Sequence, residues 1–202
     1  MWKMFAVGHL SLGYIVGKFF GNFLSVKLNW AILFTVSVLT DVDVFFFPFL
    51  QHRGIIHSLF FSIILSLPFI VIYRKKAVPY FAALVSHSLV GDIFSGGTQL
   101  FWPFSNNWIF ISDFSVVDEF NIALELLFFG VSVIIMILSK DIKKFFSNKS
   151  RRIYWIIPFG SILGPLVLNT GIYNNIPFLL IIPSLFYFVI FTFRLVLGQT
   201  SF

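Results

Sequence analysis

Seven stretches of this chain are apolar over a length that matches the thickness of a lipid bilayer. A hydrocarbon core about 30 Å thick needs about 20 consecutive apolar helical residues to cross it. The stretches, some of them close to the lower limit of length, are residues 4–22, 29–49, 56–73, 77–94, 118–139, 153–169 and 177–197. They predict an all-α fold, a polytopic membrane helix bundle with about seven transmembrane helices.

The composition excludes an ordinary soluble domain. Hydrophobic residues make up 58% of the 202 residues and charged residues only 11%, whereas soluble domains are about one quarter charged. No hydrophilic linker is long enough to separate two domains, so residues 1–202 are predicted to form a single integral membrane domain, with metal-site helices in 1–135 and a C-terminal helix pair in 136–202. The sequence has no cysteine, which excludes disulfides and thiolate metal sites. Membrane topology explains the net charge of +6, so no nucleic-acid partner is expected.

Basic residues predict the orientation of the bundle. Arg74, Lys75 and Lys76 follow the third stretch, and the basic segment 140–152 follows the fifth. The positive-inside rule places both in the cytoplasm and therefore the amino terminus outside. Seven of the eight acidic residues then fall in the outer half or the outer loops: Asp41, Asp43, Asp92, Asp113, Asp118, Glu119 and Glu125. We therefore predict a multi-pass protein of the cell membrane with a polar site near its extracytoplasmic face.

All four histidines and three aspartates of the apolar stretches fall near this outer face. Ionisable groups inside a membrane are expensive to bury and are usually paired, so each one indicates a functional site. A single buried histidine is more often structural, but several such groups at one depth predict a shared site. The members are His9, His52, His57, His87, Asp41, Asp43 and Asp92.

His9 lies on a face of the first helix that is otherwise made of small residues. Gly13, Gly17 and Gly21 follow it at intervals of four residues, and small residues at this spacing pack closely against a neighbouring helix. His9 is therefore predicted to point into the bundle. A signal peptide is the alternative for this stretch, but the stretch lacks a small-residue cleavage site.

The second stretch ends in two acidic residues that a regular helix cannot bring to one point. Asp41 and Asp43 are two residues apart, which is about 200° around an α-helix. Either one of them is a ligand and the other is its partner or lies at the helix end, or the helix is broken here.

The sequence HRGIIHS at 52–58 places two histidines and an arginine before the third stretch. Gly54 permits a tight turn, and His57 then falls at the start of the helix. The guanidinium of Arg53 suits a phosphate oxygen. Its alternatives are a counter-ion to Asp41 or Asp43, or a contact with a lipid head group.

His87 and Asp92 in the fourth stretch are five residues apart, about 140° on an ideal helix. They would serve two different ions, unless a local bulge near Gly91 brings them together. Imidazole and carboxylate without sulfur suit zinc, iron or manganese, and their number is sufficient for a two-metal site.

Five motifs together resemble a known family. GHLSLGY, DVD, HRGIIHS, SHSLVGD and GGTQLFWPF are similar to those of the integral membrane-bound, metal-dependent hydrolases, also described as LexA-binding inner-membrane hydrolases and distantly like zinc-dependent phospholipase C. The resemblance covers residues 5–135. The chain departs from it at Thr40, where the family usually has proline, and in the step of five from His87 to Asp92, where four is more usual.

The resemblance implies a set of metal ligands and a reaction. The implied ligands are His9, Asp43 as the choice from the acidic pair, His57, His87 and Asp92. One or two divalent ions, zinc by preference and manganese or iron otherwise, would activate a water molecule. The implied catalytic residues are Asp41 as the acceptor of its proton, Arg53 as a phosphate ligand, and His52 beside them.

The depth of the site favours a membrane lipid as the partner. A head group can enter from the outer leaflet, so a phosphoester bond of a phospholipid or lipid phosphate is the expected substrate. The segment 95–113 has the composition of a lid, or of an interfacial loop without a catalytic role. Two other classes stay open: a transporter that uses the cluster as a proton or metal pathway, and a membrane protein with a structural metal. Transporters spread ionisable groups through the membrane, whereas the last two stretches contain only Arg194.

Overall fold

The computed structural model of this chain describes residues 4–46, 49, 51–111, 118–147, 150–167 and 176–197. Within these ranges the regular secondary structure is helical. These residues form no strand, and the β-type pairing among them is an isolated bridge between Thr98 and Ile109. The α-helices are α1 (Ala6–Phe23), α2 (Trp30–Ser37), α3 (Leu59–Tyr73), α4 (Val78–Ser86), α5 (Glu119–Leu138), α6 (Asp141–Ser147), α7 (Ile156–Val167) and α8 (Phe178–Leu197).

The all-α prediction is confirmed, but the count of seven spans is not. Among the described residues, only α5 and α8 are long and apolar enough to cross a membrane on their own. The second stretch is divided between α2 and a 3-10 helix over Thr40–Phe46, and the fourth between α4 and a π-helical segment over His87–Asp92. These interruptions leave α-helices too short for the bilayer. Asp113 and residues 168–169 of the sixth stretch lie outside the described residues.

Helix α1 lies at the centre of the bundle and packs against α2, α4 and α5. Its glycines allow this close approach, as predicted. A methyl group on Gly13 would collide with Ser37, and one on Gly17 would collide with Leu33, both in α2. The small-residue face of α1 therefore brings His9 against the neighbouring helices.

Aromatic rings fill the core beyond the site. Tyr14, Phe34, Phe145, Trp155 and Phe191 are buried and in mutual ring contact. Aromatic pairs in such edge-to-face and tilted arrangements add specific attraction to their buried area. This cluster joins α1 and α2 to the C-terminal helices.

Helix α6 occupies part of the segment 140–152, which the sequence predicted only as a basic cytoplasmic loop. Its first residue, Asp141, is fully buried and accepts hydrogen bonds from the Tyr14 hydroxyl (2.9 Å), Lys18 and Lys144. Burial raises the pKa of the Asp141 carboxyl, but the hydrogen bonds from Lys144 and Lys18 lower it more, so the pKa lies below its usual range. The carboxylate therefore anchors α6 to α1.

Candidate metal centre

A π-helical segment brings His87 and Asp92 to the same point. It covers His87–Asp92 and continues directly from α4, and its i to i+5 hydrogen bonds bring residues five apart close together. His87 Nε2 lies 3.8 Å from Asp92 Oδ2. Of the two alternatives in the sequence, the bulge near Gly91 is therefore confirmed, and one site can use both residues.

The α-helix is interrupted between α2 and the acidic pair, as the second alternative for Asp41 and Asp43 required. The 3-10 helix over Thr40–Phe46 directs the two carboxylates to different histidines. Asp41 Oδ1 lies 3.3 Å from His87 Nε2. Asp43 accepts a hydrogen bond of 2.8 Å from His52 Nδ1 and lies 3.2 Å from His57 Nε2.

The turn at 52–57 differs in detail from the prediction. Its left-handed residue is Arg53, with φ 62°, and not Gly54. Gly54 is needed for another reason, since a Cβ there would stand 2.9 Å from the carbonyl oxygen of Gln51. His57 ends a 3-10 turn over Ile55–His57, and the Ser58 hydroxyl caps α3 by accepting from the Phe61 amide at 3.1 Å.

Three of the four histidines are oriented through Nδ1. His87 Nδ1 donates to the Ser37 carbonyl oxygen at 2.8 Å, His57 Nδ1 to Asp92 Oδ2 at 2.6 Å, and His52 Nδ1 to Asp43. Partners of this kind fix the ring and leave Nε2 of the neutral tautomer with a lone pair. Such orientation is typical of metal-ligating histidines.

His9 is held differently. Its ring stacks on that of His87, with 3.6 Å between centroids and 9° between planes. Both of its nitrogens are buried and have no hydrogen-bond partner within the described part of the chain. Gly91 makes room for the ring, since a Cβ there would stand 2.6 Å from Cε1 of His9.

The guanidinium of Arg53 pairs with Asp92, and neither Asp41 nor Asp43 receives it. Nη2 lies 3.1 Å from Asp92 Oδ1 and donates to Ser95 Oγ, while Nη1 donates to the Ser95 carbonyl oxygen at 2.9 Å. The counter-ion interpretation thus had the right kind of contact with the wrong partner. A backbone contact remains to the acidic pair, because the Arg53 amide donates to Asp43 Oδ2 at 3.2 Å.

The donors form two adjacent groups that could each hold a metal ion. In each group, one ligand atom per residue lies within 4.8 Å of the others. The first group is His9, His87 and Asp92, and the second is Asp41, His52 and His57. Asp43, expected as a ligand, stands outside both groups, while Asp41 and His52, expected as catalytic residues, belong to the second.

The chemistry of these donors fits a divalent cation. His87 Nε2 faces oxygens of Asp41 and Asp92 at 3.3 and 3.8 Å, and within the described residues it is buried without a hydrogen-bond partner. A buried polar atom without a hydrogen bond is costly, and a cation bound by these atoms would offset that cost. The three buried carboxylates also exceed the positive charge of Arg53, and nitrogen and oxygen donors of this kind suit zinc, manganese or iron.

The sequence predicted that these eight candidate residues share one site, but it did not indicate three of their neighbours. Ser37 orients His87, Ser95 holds Arg53, and Glu125 binds the start of α1. Ser37 and Ser95 offer no periodic signal. Glu125 is a carboxylate inside an apolar stretch, and this signal could have identified it.

A helical bundle of apolar surface with a buried histidine and aspartate cluster defines a membrane protein with a possible metal-binding centre. The family model of the YdjM inner membrane protein matches residues 4–194. The chain therefore belongs to the YdjM inner membrane protein family. This result is consistent with the membrane-bound hydrolase family that the motifs resemble, and no similarity to phospholipase C was found. Searches of curated proteins and of solved structures found no match.

Proposed function

We propose that this protein is a membrane-embedded, metal-dependent hydrolase that cleaves a phosphoester bond of a phospholipid or lipid phosphate. The observation that carries the proposal is the buried cluster in which His87 Nε2 faces Asp41 and Asp92. Ionisable groups are costly at this depth, and a cluster kept for stability alone would pair its charges more completely.

The ligands in this proposal are the two groups described above, with one or two ions of zinc, manganese or iron. When bound, a divalent cation polarises a water molecule and the phosphoester, which is the chemistry of metal-assisted hydrolysis. Asp43 Oδ1 accepts a hydrogen bond from His52 Nδ1 at 2.8 Å, and its Oδ2 lies 3.2 Å from His57 Nε2. This contact pattern supports Asp41 as the ligand of the acidic pair and Asp43 as its supporting residue.

Three residues are proposed to act on the substrate. Asp41 is the most exposed of the three carboxylates, at 7% against 1% for Asp43, which supports the carboxylate oxygen of Asp41 that does not bind the ion as acceptor of a proton from the attacking water. The side chain of His52 is 14% exposed, so a substrate can reach this ring more readily than the other histidines. Arg53 pairs with Asp92 at 3.1 Å, and its positive charge favours a phosphate nearby.

The segment 95–111 supports a lipid as substrate. Thr98 Oγ1 and the Gln99 amide donate to the Arg53 carbonyl oxygen at 2.9 and 3.0 Å, so the segment is fixed beside the site. Four aromatic side chains of the segment are exposed: Phe101, Phe104, Trp108 and Phe110. Aromatic side chains concentrate at membrane interfaces, so we propose that this segment meets the lipid surface. Residues 112–113 of the expected lid lie outside the described residues.

The proposed topology keeps the seven helical stretches, the basic segments in the cytoplasm and the site on the extracytoplasmic side. Because the sequence has no cysteine, single-cysteine variants test it. An impermeant maleimide should label Asn106→Cys in intact cells and spare Lys75→Cys. The opposite labelling would refute an extracytoplasmic site.

Hydrolysis of lipid phosphates in mixed micelles tests the activity. A series of phosphomonoesters and phosphodiesters is offered to the wild type, to Asp92→Ala, to His57→Ala and to the control Lys75→Ala. We expect chelator-sensitive release of product by the wild type and the control, with a loss of at least about 100-fold in the two site variants. A metal-loaded wild type that hydrolyses no member of the series would contradict the proposal. Proton flux in liposomes that depends on Asp92 would favour a transporter instead.

A further inference from the structure

We propose that Glu125 is a positioning residue for His9, and that it holds the start of α1 so that His9 faces the metal centre. This inference rests on the proposed metal site. Glu125 lies in α5 and is fully buried. Its carboxylate reaches across to the backbone of another helix, where it is tied to the residues that precede His9.

Both carboxylate oxygens bind the amino-terminal end of α1. Oε1 accepts from the Phe5 amide at 2.8 Å and Oε2 accepts from the Gly8 amide at 3.2 Å. The first amides of an α-helix have no i to i−4 acceptor, and the Phe5 side chain cannot cap α1. The Gly8 amide divides its hydrogen bond between Glu125 and the Phe5 carbonyl oxygen, which lies at 3.0 Å. In an apolar bundle such amides must be satisfied by protein groups, and Glu125 supplies the acceptors from α5.

The contact is fitted to the residue beside His9. A Cβ on Gly8 would stand 2.9 Å from Cγ of Glu125 and 2.7 Å from Cε of Met4. Gly8 therefore lets the carboxylate approach the backbone directly. Since His9 is the next residue, Glu125 holds the backbone one residue before the Cα that carries the ring.

The position of the His9 ring depends on the placement of its backbone, whereas the other three histidines are held by hydrogen bonds to the ring itself. His52, His57 and His87 each have an Nδ1 partner that orients the ring. Within the described residues, neither nitrogen of His9 has a hydrogen bond, so its position rests on the stack with His87 and on the placement of α1. Glu125 thus takes the place of the missing orienting partner.

The control is Asp141 of α6, a second buried carboxylate that binds α1 at a different point. Asp141 holds α1 through Tyr14 and Lys18, which lie about 8 and 14 Å along the helix from His9. Its removal should loosen α1 without moving the amides next to His9. Asp141→Asn therefore separates a general loss of stability from a loss of positioning.

The experiment compares the full chain in detergent as wild type, Glu125→Gln, Glu125→Asp and Asp141→Asn. Co²⁺ and Zn²⁺ affinities are measured by competition with a chelator, together with the Co²⁺ absorption spectrum and the melting temperature. Glu125→Gln should bind about 10- to 100-fold more weakly and change the spectrum, because its amide nitrogen cannot accept from a backbone amide. Glu125→Asp, which keeps the carboxylate, should recover part of the affinity.

Asp141→Asn should melt at a lower temperature than the wild type and keep its metal affinity and spectrum. If Glu125→Gln behaves in the same way, Glu125 is only structural and the inference is wrong. If the wild type binds neither ion, the metal centre itself is refuted, and the inference falls with it.

Discussion

Gly91 shows at the scale of one residue how closely the site is packed. The ring of His9 occupies the space that a side chain at position 91 would need, with 2.6 Å from the Cβ position to Cε1 and 2.7 Å to Nδ1. The collision is with a flat ring stacked on His87, so the ring cannot rotate away without leaving its partner. The absence of a side chain at this position is thus a condition for the arrangement of the histidines.

Gly91→Ala should therefore displace His9 and weaken metal binding. We expect a loss of affinity of about 10-fold or more and a destabilisation of about 1–3 kcal/mol from overpacking. Chelator competition and thermal unfolding in detergent measure the two effects. Gly130→Ala in α5 is the matched control, since a Cβ there meets no atom within 4 Å, and it should leave the affinity unchanged. Equal metal affinity in both variants would contradict the packing argument.

The candidate residues could be selected from the sequence, but their pairing could not. Six of the eight stand out because histidine and aspartate are costly in an apolar stretch, and the other two, His52 and Arg53, lie just before the third stretch. Their partners depend on backbone details that no periodicity encodes. The left-handed conformation falls on Arg53, and its guanidinium consequently reaches Asp92 across the site.

At the scale of elements, two interruptions of regular helix create the site. The π-helical segment at His87–Asp92 and the 3-10 helix at Thr40–Phe46 redirect side chains that α-helices would point apart. The spacing of five between His87 and Asp92 indicated a bulge. A hydropathy pattern cannot show where an α-helix changes to a 3-10 or π-helix, because the surrounding residues stay apolar. The predicted stretches are therefore longer than the α-helices in the structure.

The link between α6 and α1 predicts a dependence of stability on pH. The folded-state pKa of Asp141 is lowered, so its ionised form stabilises the fold above the unfolded-state pKa of about 3.9. That contribution is lost as the pH falls through the lower folded-state value. Asp141→Asn should cost about 1–3 kcal/mol at pH 7, and the difference from the wild type should shrink below about pH 4. Unfolding in detergent across this pH range measures it, and a constant difference would contradict the assignment.

At the scale of the whole molecule, α1 is the element on which the site and the core both depend. It carries His9 towards the centre, packs through its glycines on α2, and is bound by carboxylates from α5 and α6. The hydropathy of the sequence predicted the helical class and the membrane setting. It could not predict the central position of α1, since this follows from the fit of its small residues to particular neighbours.

Metal content of the purified protein tests the central claim most directly. Elemental analysis is performed on the wild type, His57→Ala, Asp92→Ala and the Gly130→Ala control, all purified in the same detergent. A centre built from the buried histidines and aspartates predicts stoichiometric zinc, manganese or iron in the wild type and the control, with clear loss from the two site variants. A wild type without stoichiometric metal, and site variants that bind as much as it does, would contradict the account.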